Sequence, residues 1–109
     1  MLGWWITIKS LPPEQVDKLV GREETAPYML ANWEVGVSGL RWLEELVKAG
    51  KAQKLKNGSY PNRYVCQASD ILPTIETPKE WMRHLVHRPE NITKCSAETV
   101  LTIDAWDLS

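Results

Sequence analysis

The groups in this 109-residue chain that could do chemistry are Cys66, Cys95, His84, His87, several acids and one basic run. Thiols and imidazoles are zinc ligands, but structural zinc sites draw cysteines in tight pairs such as C-x₂-C, and no such pair occurs here. Nucleophilic catalysis needs a nucleophile, a base and an orienting group brought together. Cys66 with a histidine could supply the first two, yet a lone cysteine in a strand is more often a small core residue. The nucleophile elbow, the phosphate-binding loop and the dinucleotide fingerprint are all absent. Glu23-Glu24 and Glu44-Glu45 are adjacent pairs, and adjacent residues of a helix do not face one another. The sequence therefore assigns no catalytic residue, no metal ligand and no cofactor, and the expectation is a protein that is not an enzyme.

Charge and aromatic placement point instead to binding. Lys48, Lys51, Lys54, Lys56 and Arg63 follow one another with no acid between Lys48 and Arg63, and Tyr60 and Tyr64 lie among them. Such a segment could contact phosphates and stack a base. A net charge of -1 argues against it, which leaves a small nucleic-acid-binding module as the second reading. The acids form the other candidate surface. Glu23, Glu24 and Glu34 precede the long helix, and Asp104 and Asp107 lie in the last strand, with Trp33 and Trp106 beside them. Aromatic anchors inside a charged rim are what tight protein interfaces use, and this one would suit a basic partner. The alternative, in which both tryptophans are core and the acids only solvate the surface, stays open.

The elements that must position these groups can be read from periodicity. Trp4–Lys9 alternates as a strand, with Trp4, Ile6 and Ile8 on one face and Trp5, Thr7 and Lys9 on the other. Pro12 or Pro13 opens a short helix carrying Val16, Leu19 and Val20, which Gly21 ends. Pro27 argues against one continuous helix through residues 22–37, and residues 32–37 read as a short strand. Ser38 caps the next helix, whose buried stripe is Leu40, Leu43, Leu46 and Val47, with Trp42 at its border. Glu44 and Lys48 form an i,i+4 pair, and Gly50 supplies the stop. Asn57-Gly58 is a turn, and residues 60–67 are a strand with Tyr64 and Cys66 on one face. Ser69 or Asp70 caps a short helix with Pro73 in its first turn. Thr77-Pro78 starts another, which carries Trp81 and Leu85 inward and ends at Pro89. Residues 98–108 form the last strand: Leu101, Ile103 and Ala105 point one way, and Val100, Thr102, Asp104 and Trp106 the other.

The expected fold is thus a single α+β domain over residues 1–109, an antiparallel sheet that includes the N- and C-terminal strands, with helices packed against it. The aromatic usage is unusual, with six Trp, three Tyr and no Phe. An indole carries an N–H that wants a partner when buried, so some of the tryptophans should stand half-exposed. No apolar run approaches the roughly 18 residues of a membrane span, and the apolar start of the chain lacks the basic region of a secretory signal. The expectation is a cytoplasmic protein without a membrane partner, in which Cys66 and Cys95 stay free thiols.

One segment also carries a resemblance. The run from Trp42 through Leu-Glu-Glu-Leu-Val-Lys-Ala-Gly-Lys to Ala52, then Gly58-Ser-Tyr-Pro-Asn-Arg-Tyr64 and Ile71-Leu-Pro73, resembles small bacterial immunity proteins. These accompany polymorphic or contact-dependent growth-inhibition toxins. The resemblance covers about a third of the chain and implies a cytoplasmic α+β protein that binds a cognate toxin domain and blocks it, often by covering its active site. It implies no catalytic residue. The partner-binding residues expected from charge and aromatic placement are Glu23, Glu24, Trp33, Glu34, Asp104, Trp106 and Asp107.

Overall fold

The structure, a computed structural model, describes residues 3–56, 61–77 and 79–108, without the side chains of Arg22 and Lys56. The strands are β1 (Trp4–Lys9), β2 (Met29–Val35), β3 (Ala52–Lys56), β4 (Asn62–Gln67), β5 (Arg83–His87) and β6 (Val100–Asp107). The helices are α1 (Pro13–Val16), α2 (Gly21–Thr25), α3 (Arg41–Lys48), α4 (Ala68–Glu76) and α5 (Pro89–Ile92), and a 3-10 turn at Ala26–Tyr28 leads into β2. All six strands join one sheet in the order β3-β4-β6-β1-β2-β5, and every pairing is antiparallel. The N- and C-terminal strands lie side by side at its centre, as an α+β fold with both terminal strands requires.

Alternation sorts the side chains into two faces. Ile6 and Ile8 of β1 sit beside Ala105 and Ile103 of β6 and Trp33 and Ala31 of β2. Tyr64 and Cys66 of β4 extend this apolar face. Leu43 of α3 and Ile71 and Ile75 of α4 close over it, all three fully buried. Burying each such side chain contributes about 1.5–3 kcal/mol. The opposite face carries Trp5, Thr7, Lys9, Asn32, Glu34, Arg63, Asp104 and Trp106. The segment that carries α1, α2 and the 3-10 turn covers part of it, and Thr7, Asn32, Arg63 and Asp104 are at most 9% exposed; it is the open face only in that α3 and α4 pack on the other one.

Several local expectations shift. Gly21, with φ of 77°, opens α2 instead of ending the previous helix. Leu40, not Ser38, occupies the cap position of α3, and the Ser38 carbonyl accepts from the Arg41 N–H at 3.3 Å. Glu44 pairs with Lys54 across to β3 at 3.7 Å, not with Lys48 along the helix. Gly50, also at φ 77°, stops α3 as expected: its N–H donates to the Val47 carbonyl and Lys51 N–H to the Leu46 carbonyl. Pro73 stands inside α4, well past its first turn. The helix continues because Ile71 and Ile75, one turn apart, are both buried against the sheet, and tertiary packing overrides the local penalty. The helix expected around Trp81 and Leu85 is instead the edge strand β5. A short apolar run satisfies either period, and pairing with β2 decides between them. His84 and His87 therefore do not share a helical face. The Asn57-Gly58 turn, Tyr60 and Pro78 lie outside the described residues.

Candidate partner-binding end of the sheet

Register places the tryptophans together. Trp4 and Trp5 open β1, and Trp5 sits directly opposite Trp106 near the end of β6. Trp33 stands opposite Ile6 near the end of β2. Trp42 lies in the first turn of α3, its ring centroid 5.9 Å from that of Trp33. Trp81, just before β5, is 6.5 Å from Trp33 and 6.3 Å from Trp42. All six tryptophans of the chain thus gather at one end of the sheet.

They fall into two groups. On the covered face Trp33 is fully buried, Trp42 is half-buried on it, and Trp81 closes the stack while remaining 42% exposed. The buried Nε1 atoms of Trp33 and Trp42 have no hydrogen-bond acceptor among the described residues. A cavity of about 350 Å³ opens beside the stack, lined by Ser38, Gly39, Arg41, Trp42, Glu45 and Trp81. The turn between β2 and α3 borders it, and Val37 at its tip is 66% exposed. This turn is held in place: Trp4 Nε1 donates to the Val37 carbonyl at 3.2 Å, and a Cβ on Gly39 would run into the Val35 side chain. On the open face, Trp106, Trp5, Glu34 and Arg83 form a row across β6, β1, β2 and β5. Glu34 Oε2 is 3.9 Å from His84 Nε2.

Of the expected site residues, Glu34, Trp106 and Asp107 belong to this end. Glu23 and Glu24 are exposed on α2, before the entry to β2, whereas Glu34 is at its exit. Trp33 and Asp104 are corrected. Trp33 is the floor of the indole stack with no exposed surface, so it cannot touch a partner. Asp104 is 1% exposed and serves as an internal counter-charge. Its Oδ1 accepts from Arg63 Nε at 2.6 Å and its Oδ2 from Arg63 Nη2 at 3.0 Å. Arg63 Nη1 donates to Asp17 Oδ1 at 2.9 Å. The hydrogen bonds to Asp104 above all raise the Arg63 pKa, so the guanidinium stays charged at any working pH. Nearby Lys9 has its pKa lowered, chiefly by burial, with Asp104 opposing that shift.

The same geometry takes Arg63, Lys54 and Tyr64 out of the basic segment as a phosphate site and leaves Lys48 and Lys51 exposed. Arg63 spends its donors on two carboxylates, and Lys54 sits beside Glu44 with its Nζ 5.6 Å from the ring centroid of Tyr64. Tyr64 is fully buried and cannot stack a base.

Sequence reasoning missed Trp5 and Trp81. Trp5 was readable, since alternation along β1 puts it on the face of Thr7 and Lys9. Trp81 was hidden by the wrong element type, although its neighbours Lys79, Glu80 and Arg83 are all exposed. Among the described residues, no helix is long and apolar enough to cross a membrane. No family model, curated protein or solved structure matches this chain.

Proposed function

We propose that this chain binds a protein partner through the tryptophan-bearing end of its sheet, and that the partner is a cognate toxin domain whose active site it occludes. The observation that carries the reading is the gathering of every tryptophan at one end, with Trp81 and Val37 left exposed there. Tryptophan is enriched at the energetic centres of interfaces because it offers a large rigid surface at low entropic cost. Arg41, Glu45, Glu34 and Arg83 supply a mixed polar rim, the usual surround of such a centre. The resemblance of the α3–β3–β4–α4 segment to immunity proteins supplies the kind of partner.

The test is co-expression with the toxin domain encoded beside this chain. The expected result is a stoichiometric complex and protection of cells from that domain, both weakened by Trp81→Ala. A neighbouring product that neither binds nor is neutralised overturns the reading. So does binding of DNA or RNA with steep salt dependence and no affinity for that product.

A further inference from the structure

The open face holds a cavity that meets the proposed partner-binding end only at Trp5. It lies beneath α2 and the 3-10 turn, has a volume of about 540 Å³, and is lined by Trp5, Thr25, Met29, Asn32, Val86 and Arg88 among others. That volume is in the range of small-molecule sites. Trp5 gives it an aromatic wall, and Met29 and Val86 add apolar surface.

The polar groups are the informative part. Asn32 sits in β2 opposite Thr7 on one side and Val86 on the other, and is only 9% exposed. Its amide has no hydrogen-bond partner among the described residues. An amide offers two donors and a carbonyl acceptor, and here they are open to the cavity, not sealed in the sheet, so a ligand can reach them. Arg88 is half-buried beside it. No acid pairs with Arg88 among the described residues, and its buried Nε has no acceptor. An unpaired guanidinium with an amide next to it lacks an anion and a hydrogen-bonding edge.

We infer that this cavity binds a flat, hydrogen-bonding heterocycle carrying an anionic group, of mononucleotide size. The ring lies along Trp5, its polar edge meets the Asn32 amide, and the anion meets Arg88. An apolar ligand would leave both polar groups unmade. A cation would be repelled by Arg88. A bare phosphate would use neither Trp5 nor Asn32. The inference stands independently of the toxin-binding reading.

The full chain would be titrated with AMP, GMP, CMP and UMP, with the matching nucleosides and inorganic phosphate as separate arms. Binding is read from the NMR signals of the Asn32 side-chain amide and the Trp5 indole. At least one nucleotide should saturate and move both signals, and its nucleoside should bind about tenfold more weakly or worse, the worth of a charged hydrogen bond. Arg88→Gln should bring the nucleotide down to the nucleoside's affinity while the nucleoside is unaffected. Asn32→Ala should abolish both; if that variant does not fold, Arg88→Gln alone decides. The inference is overturned if no nucleotide moves the two signals at millimolar concentration, if Arg88→Gln binds like the parent, or if phosphate alone reproduces the shifts.

Discussion

Where β1 ends and β6 begins, the chain is fastened by directed polar bonds. Thr102 Oγ1 donates to the Leu11 carbonyl at 2.7 Å, and Asn91 Nδ2 donates to the carbonyls of Ala26 and Met29 at 2.9 and 2.8 Å. At the other end of the same strands the fastening is aromatic: two buried indole N–H groups lack acceptors among the described residues, and a third tryptophan is left partly in water. A buried polar group that is bonded specifies one arrangement, and one that is not is a cost carried for some other reason. The contrast is one of degree, since His87 Nε2 and Arg88 Nε beside the entry to β2 are also buried without partners among the described residues; what sets the aromatic end apart is the exposure left at Trp81 and Val37. Between the two ends, the Arg63–Asp104 pair ties β4 to β6 and belongs wholly to the fold.

The largest effect should come from that middle. Asp104→Ala leaves the buried Arg63 with only the exposed Asp17 as counter-charge, and removing the buried partner of such a pair costs about 3–5 kcal/mol. Denaturant melts should show it as a lower midpoint. A loss below about 1 kcal/mol would mean that water reaches Arg63 and that the pair does not define the centre.

Alkaline pH should act next. Burial, helped by the charge of Asp70, pushes the Cys66 thiol up to about 12, and burial, helped by Glu44, pushes the Tyr64 hydroxyl up to about 12. In the unfolded chain these groups titrate near ~8.5 and ~10. Their folded pKa values are raised, so their contribution is fully present below about pH 8.5 and is lost as pH climbs towards 12. Thermal melts from pH 8 to 11 should fall steadily, and Cys66→Ala should flatten the first part of the fall. Melting independent of pH across that window would show that neither group is as secluded as its position opposite Leu101 or Ile103 implies.

Asn91→Ala breaks the polar end. It leaves the Ala26 and Met29 carbonyls without their donor, a loss of about 1–3 kcal/mol. Trp81→Ala is the matching change at the aromatic end. It removes stacking on Trp42 and Trp33, about 1 kcal/mol of stability, but should weaken partner binding by about 2 kcal/mol or more. The comparison inverts if Trp81→Ala melts lower than Asn91→Ala and binding is untouched; the aromatic end would then be a core that happens to be open.

Much of the fold was legible from residues 4–9 and 100–107, because strict alternation leaves one choice of face for each side chain. Leu43 and Gly50 were equally plain, since a helical stripe and a left-handed stop are local signals. Three kinds of information were not local. Asp104 looked like a surface acid until Arg63, far away in sequence, was brought beside it by the β4–β6 register. Trp33 looked like an anchor until α3 and Trp81 covered it. Residues 83–87 carry no pattern that separates helix from strand, and β2 settles the matter by offering a free edge. The cavity at Asn32 and Arg88 was invisible for the same reason: α2, β2 and β5 each contribute part of its wall.

The smallest effect separates the two acidic groups. If the partner docks on the aromatic end, Glu45 and Asp107 stand at its rim, whereas Glu23 and Glu24 belong to α2 at the entry to β2. Rim charges act mainly on the rate of encounter, through a field that salt screens within about 10 Å at 0.1 M. Glu45→Lys and Asp107→Lys should therefore slow association with a basic toxin domain several-fold at low salt, and the effect should shrink as salt is raised. Glu23→Lys and Glu24→Lys should slow it less. Glu23, Glu24 and Glu45 are exposed, so their reversal should shift stability by no more than about 0.5 kcal/mol. Stopped-flow association rates for the four variants decide the matter. A larger slowing from the α2 pair would move the docking surface off the tryptophans and onto the face that α2 borders, with Trp5 as the one aromatic both surfaces share.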